Sequence, residues 1–180
     1  MGSMMGHSEK QTMVARLPYG QWQGYGQARF EQLCRTCPHY GKNWGCPPFT
    51  AAVQTQSRDL ELWARVVPVE GYPLSPKTFY EREWPRLWQE LSRELLTREQ
   101  EAGGLALLPG RCQWCALCQR AQGLACPTPE RRRPSFEVLG LDAGRLMDEV
   151  FARPLLWGEG GQLPPYVTLL SGLLIERTAI

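Results

Sequence analysis

The chain has 180 residues, 43% of them hydrophobic and 21% charged, and its 20 basic and 18 acidic side chains leave a formal charge of +2. That length fits one domain whose core can hold it together without covalent staples, and the composition excludes wholesale disorder, collagen and coiled coil. The near-neutral balance gives no general pull toward nucleic acid or anionic lipid, and no apolar run approaches the ~20 residues of a membrane helix.

Residues 1 to 28 are rich in Gly, Gln and Met without a sustained period, so they read as a loose arm holding at most one short element. The amino terminus has no apolar h-region, and Gly6 stands where a myristoylation signal needs Ser or Thr. Cytoplasmic residence with reduced thiols is expected. A single domain is placed over residues 29 to 180. Pro38, Gly41, Gly45, Pro47 and Pro48 hold the stretch from Cys34 to Phe49 out of regular structure. After it, Val53, Leu60, Leu62 and Trp63 are compatible with a helix from Thr50 to Trp63 that Thr50 would cap. Ala64 to Val69 reads as a short strand ended near Pro68.

The clearest helix spans Thr78 to Ala102. Phe79, Trp84, Leu87, Trp88, Leu91, Leu95 and Leu96 recur there mostly at three- and four-residue steps, and Gly103-Gly104 supplies the stop. Pro85 marks either a kink or the true first turn. Leu105 to Leu108 reads as a short buried strand and Ser135 to Leu139 as about one helical turn. Asp142 caps a helix to about Phe151, Gly158 to Pro165 is a loop, and Tyr166 to Glu176 is the closing strand. Strands interleaved with helices predict an α/β or α+β fold: a small mixed sheet packed by helices, with two cysteine-rich metal-binding loops at one end.

All seven cysteines fall in two groups, Cys34-x2-Cys37-x8-Cys46 and Cys112-x2-Cys115-x2-Cys118-x7-Cys126. Cysteines used as small core hydrophobes would scatter over apolar faces, whereas these lie beside Pro, Gly, Arg and Gln. Their odd number argues against a disulfide framework. The triple at Cys112, Cys115 and Cys118 favours an iron-sulfur cube, because three sulfurs two residues apart can wrap three corners of a large cluster. Cys126-Pro127 has the form of the distant Cys-Pro of bacterial ferredoxins, at a spacing of seven where three is usual. In those proteins the outlying cysteine ligates the other cluster. Cys126 therefore either completes the second group or reaches across to the first.

Seven ligands divide as four plus three, which suggests two 4Fe-4S clusters, one with an iron lacking a cysteine; a single cluster with unused thiols is the alternative. Such an iron, like the open position of a catalytic zinc, can take water, substrate or another small-molecule ligand. His39 is the nearest candidate for a fourth ligand, or a plain loop side chain. Zinc is the runner-up metal, held by Cys34-x2-Cys37 and one later C-x2-C pair, with three cysteines left over.

Taken as a set, the run from Cys34 to Phe49 (CRTCPHYGKNWGCPPF), the GRCxxCxxC from Gly110, Cys126-x2-Pro129, the RPSFE from Arg133 to Glu137 and the GLD from Gly140 to Asp142 resemble a family of cysteine-rich predicted metal-binding proteins common in anaerobic bacteria and archaea. The resemblance covers roughly residues 30 to 176. It implies metal binding at the cysteines and no particular reaction. Pro127 departs from the pattern where a basic residue is common, and Ala143 where Val is common.

The segment from Arg131 to Glu137 leads into a possible helix N-terminus suited to an anion or a negatively charged cluster; a solvated basic turn is the alternative. Arg133, Ser135 and Glu137 match the family pattern and are candidates to support the metal, while Arg131 and Arg132 read as surface. Tyr40, Asn43 and Trp44 are placed to shield a cluster or donate hydrogen bonds to its sulfurs, with plain packing the alternative for Trp44. No C-x3-C-x2-C, G-x-G-x-x-G, P-loop, H-E-x-x-H or G-x-S-x-G is present. The expected function is an iron-sulfur protein acting in electron transfer with a redox partner, or in cluster-dependent chemistry at the open iron; a zinc-held interaction module is the alternative. Only Arg131 to Arg133 and scattered tryptophans speak for nucleic acid.

Overall fold

A computed structural model of the chain describes residues 10–49, 53–69 and 74–177. Its frame is a four-stranded antiparallel sheet in the order β1-β2-β4-β3, formed by β1 (Gln11–Leu17), β2 (Arg58–Pro68), β3 (Leu105–Leu107) and β4 (Tyr166–Glu176). The two central strands pair along their full lengths, with Arg58 opposite Glu176 and Pro68 opposite Tyr166. Covered on both faces, β4 reads as an almost unbroken apolar run, with Leu170 and Leu174 facing one core and Val167, Leu169, Leu173 and Ile175 the other. The first core adds Leu60 and Leu62 of β2 and Leu146 and Met147 of a helix, α5 (Ala143–Phe151). The second is covered by a long helix.

That helix begins as α3 (Pro76–Thr78), passes through a π-helical stretch, Phe79–Glu83, and continues as α4 (Trp84–Ala102). The Ser75 hydroxyl accepts from the Thr78 N–H at its start, and Gly103, at φ +66°, ends it in the left-handed conformation that glycine adopts at least cost. Phe79, Trp88, Leu91 and Leu95 are fully buried, the stripe expected from their spacing. Pro85 stands where the π-helical stretch passes into α4, inside the continuous helix. Asp142 caps α5 by accepting from the Arg145 N–H.

The fold is α+β, one of the two classes expected, but the sheet is not mixed. β2 and β3, joined through α4, run in the same direction, yet β4 inserts antiparallel between them. The helix expected over Thr50 to Trp63 is replaced by the first half of β2. Val53 and Leu60 suit a helical period, but Leu60 and Leu62 share the first core while Trp63 packs toward the second, a period of two. Thr50 itself lies outside the described residues. Residues 11–23, expected within a loose arm, supply β1 and α1 (Tyr19–Gln23), which buries Trp22 beneath the first core. Among the described residues no helix is long and apolar enough to cross a membrane.

Candidate metal centre

The first three cysteines sit at the end of α2 (Ala28–Thr36) and in the turns that follow it. Cys34 occupies the last turn of this helix rather than the loop expected from sequence. Cys37 closes the helix through its N–H to the Cys34 carbonyl, and consecutive turns carry the chain on, with Tyr40 donating to the Cys37 carbonyl and Cys46 to that of Asn43. The second group follows β3, in a segment whose regular structure is one 3-10 turn, Gln119–Gln122. None of the seven is part of a disulfide.

Asn43 joins the two segments. Its buried amide oxygen accepts from the backbone N–H of Gly45 (2.9 Å) and of Cys112 (3.2 Å), while its Nδ2 donates to the Cys112 carbonyl (3.0 Å). Arg120 reaches back from the second segment and donates to the carbonyls of Asn43 (2.9 Å), Cys46 (2.6 Å) and Pro48, with its guanidinium 4.9 Å from the Trp44 ring centre. The Trp44 backbone N–H donates to the Cys118 Sγ at 3.3 Å, and its indole donates to the Leu124 carbonyl. This approach needs a glycine at position 45, since a Cβ there would lie 3.0 Å from the Cys112 Cβ and 3.1 Å from the Arg133 carbonyl oxygen.

Two thiols are strongly shifted. The Cys46 thiol is pushed up to about 12, chiefly by burial, with Glu137, Cys37 and Cys34 adding to it against the pull of Arg120. The Cys112 thiol is raised to about 11, again chiefly by burial; the Trp114 backbone N–H works against it, while Cys118, Cys126 and Cys115 add to it. Among the described residues, no three His, Cys, Asp or Glu side chains draw together around a point as they would about one bound ion. Burial, with the nearby charges of Arg111 and Lys42, lowers the His39 imidazole below its ordinary value.

Glu137 lies in a one-turn 3-10 helix, Phe136–Leu139, and its carboxyl accepts from the Ser135 side chain, the Gly110 backbone N–H and its own N–H. The residue is exposed at a cleft, yet protein packs densely around its carboxyl. This burial outweighs the hydrogen bonds and raises the carboxyl above the ordinary carboxylate range. Arg133, expected near the metal, is instead committed to Glu99 of α4 in a two-pronged ion pair, Nε to Oε1 at 2.7 Å and Nη2 to Oε2 at 2.6 Å. Arg131 stacks on Trp114 at 4.0 Å and Arg132 on Trp44 at 5.3 Å, so neither is a plain surface charge. The single turn after Ser135 is too short to serve as an anion-binding helix start.

Arg120 and Glu99 escaped the sequence reading. Arg120 stands alone in a Gln- and Ala-rich stretch, and Glu99 looks like any polar residue on an amphipathic helix. The donor chemistry suits a thiolate-bound metal: seven soft sulfurs, most of them partly withdrawn from water, with an N–H aimed at one, although no three are gathered about one point among the described residues. The sequence model of a family described as a predicted metal-binding protein family (DUF2284) matches residues 26–175. No curated protein and no solved structure matches the chain.

Proposed function

Because the chain belongs to this DUF2284 family of predicted metal-binding proteins, we propose that it is an iron-sulfur protein carrying two 4Fe-4S clusters. Cys112, Cys115, Cys118 and Cys126 hold one, and Cys34, Cys37 and Cys46 the other. The observation that carries this reading is that Asn43 and Arg120 brace the two cysteine-bearing segments into one unit, with the Trp44 N–H donating to the Cys118 Sγ across them. When bound, such clusters exchange single electrons, and an iron without a cysteine offers a position for a further ligand.

The chain's own residues then have definite tasks. Asn43 and Arg120 fix the two cysteine segments against each other, which keeps the two sets at a constant separation. The Trp44 N–H withdraws charge from the Cys118 sulfur and so favours the reduced state of the four-cysteine group. The Trp44 ring, between Arg120 and Arg132, screens this side from water. Electron exchange with a redox partner protein is the activity these features support, with binding of a small molecule at the three-cysteine group beside it.

The reading is tested by anaerobic voltammetry together with iron counts on Cys46→Ala and Cys126→Ala. We expect a reversible one-electron wave inside the roughly −700 to +450 mV span of such centres, and loss of about half the iron in each variant. A loaded protein silent across that span contradicts electron transfer. Zinc retained by both variants, with no sulfide, favours a structural module instead.

A further inference from the structure

A cleft of about 560 Å³ opens beside the three-cysteine group, within the size range of small-molecule sites. Cys34 and Arg35, both from the last turn of α2, line it together with Tyr40. Glu137 lines the same cleft, its carboxyl held by hydrogen bonds from Ser135 and Gly110. Apolar residues such as Phe49 and Leu141 complete the walls. The lining is more polar than apolar; in a ligand site, convergent polar groups set orientation and apolar side chains supply affinity. Here a cation and a fixed carboxyl face the same space, next to a thiol of the three-cysteine group.

We propose that this cleft binds a small 2-hydroxycarboxylate with an apolar substituent. Arg35 takes the carboxylate by charge-assisted hydrogen bonds, Glu137 accepts from the hydroxyl, and the substituent lies against the apolar walls. A hydroxyl so held is a donor oxygen presented toward the three-cysteine group. The assignment rests on the reading of Cys34, Cys37 and Cys46 as metal-bound, and the site adds specificity to it. Arg35 and Glu137 are the specificity residues, one for the anion and one for the hydroxyl.

The test uses anaerobically loaded full-length protein and mandelate as probe, with phenylacetate, which lacks the hydroxyl, and benzyl alcohol, which lacks the carboxylate, as comparisons. Iron and sulfide are measured first, so that failure to load metal counts against the underlying reading and not against the cleft. Calorimetric titration is expected to show one mandelate per chain, bound about tenfold more tightly than either comparison. Arg35→Ala should weaken mandelate about tenfold and leave benzyl alcohol unchanged, because Arg35 is exposed and meets only the carboxylate. Glu137→Gln keeps the side-chain volume and should bring mandelate down to the affinity of phenylacetate, with iron content unchanged. Absence of saturable mandelate binding to loaded protein overturns the proposal, as does binding indifferent to both substitutions. Loss of iron in Glu137→Gln also overturns it, since Glu137 would then hold the metal group and not a ligand.

Discussion

Asn43 is 3% exposed and commits its whole amide to backbone groups of both cysteine segments. Removing it leaves buried N–H and C=O groups without partners, each costing about 1–3 kcal/mol. Asn43→Ala is therefore expected to destabilise the protein by about 2–4 kcal/mol in urea unfolding, a large share of a typical domain's stability. Gly45→Ala acts differently: the groups its Cβ would meet are the Cys112 Cβ and backbone of both neighbouring strands of chain, which cannot swing aside as a flexible side-chain tip can. We expect it to force the segments apart, so that a chelator strips metal faster while far-UV circular dichroism stays unchanged. At this scale Asn43 and Trp44 stood out by their position between Cys37 and Cys46, and Glu137 through the resemblance to a family pattern. Arg120 did not: three carbonyls that converge only after folding give an arginine no mark in the sequence.

The elements that frame the centre are held by ion pairs from α4. Glu61 of β2 receives the Arg98 guanidinium, at 2.9 Å to each oxygen, and the Trp63 indole. The Arg98 hydrogen bonds lead in holding the Glu61 carboxyl below the ordinary carboxylate range, with Trp63 and the Arg98 and Arg16 charges assisting against burial. A carboxyl depressed in the folded state binds fewer protons than in the unfolded chain. Its contribution is present above the unfolded value of about 4.3 and is lost as pH falls through the lower folded value. Urea midpoints measured from pH 6 to pH 3 should fall more steeply for the parent than for Glu61→Gln, and parallel curves would refute the assignment. Glu99 accepts from both Arg133 and the Ala106 N–H, so Arg133→Ala strands a largely buried carboxylate and should cost about 3 kcal/mol. α4, from its helical period, and β4, from an apolar run bounded by a loop, were readable in advance, as was the second half of β2. The first half of β2 was not, because Val53, Leu60, Leu62 and Trp63 are compatible with a helix until the partner strands are known.

Across the whole molecule, the sequence patterns pointed to an α/β or α+β chain with two cysteine segments, but not to how those segments meet. Their contact depends on the hairpin-like return of β4 between β2 and β3, and on the Ser135 N–H reaching the Gly45 carbonyl at 2.8 Å. Neither is encoded in a local period. The meeting is what turns two loops into one centre, and it links both thiol sets to a single folding unit. Metal binding must deprotonate thiols that burial holds high, Cys46 and Cys112 foremost, so loading should release protons and strengthen as pH rises toward those values. The account stands most directly on the inorganic content of the protein purified without oxygen, measured as iron, acid-labile sulfide and zinc per chain. Two four-iron groups predict iron and sulfide in equal amounts, each near eight, with negligible zinc. Zinc near one per chain with no sulfide would contradict it.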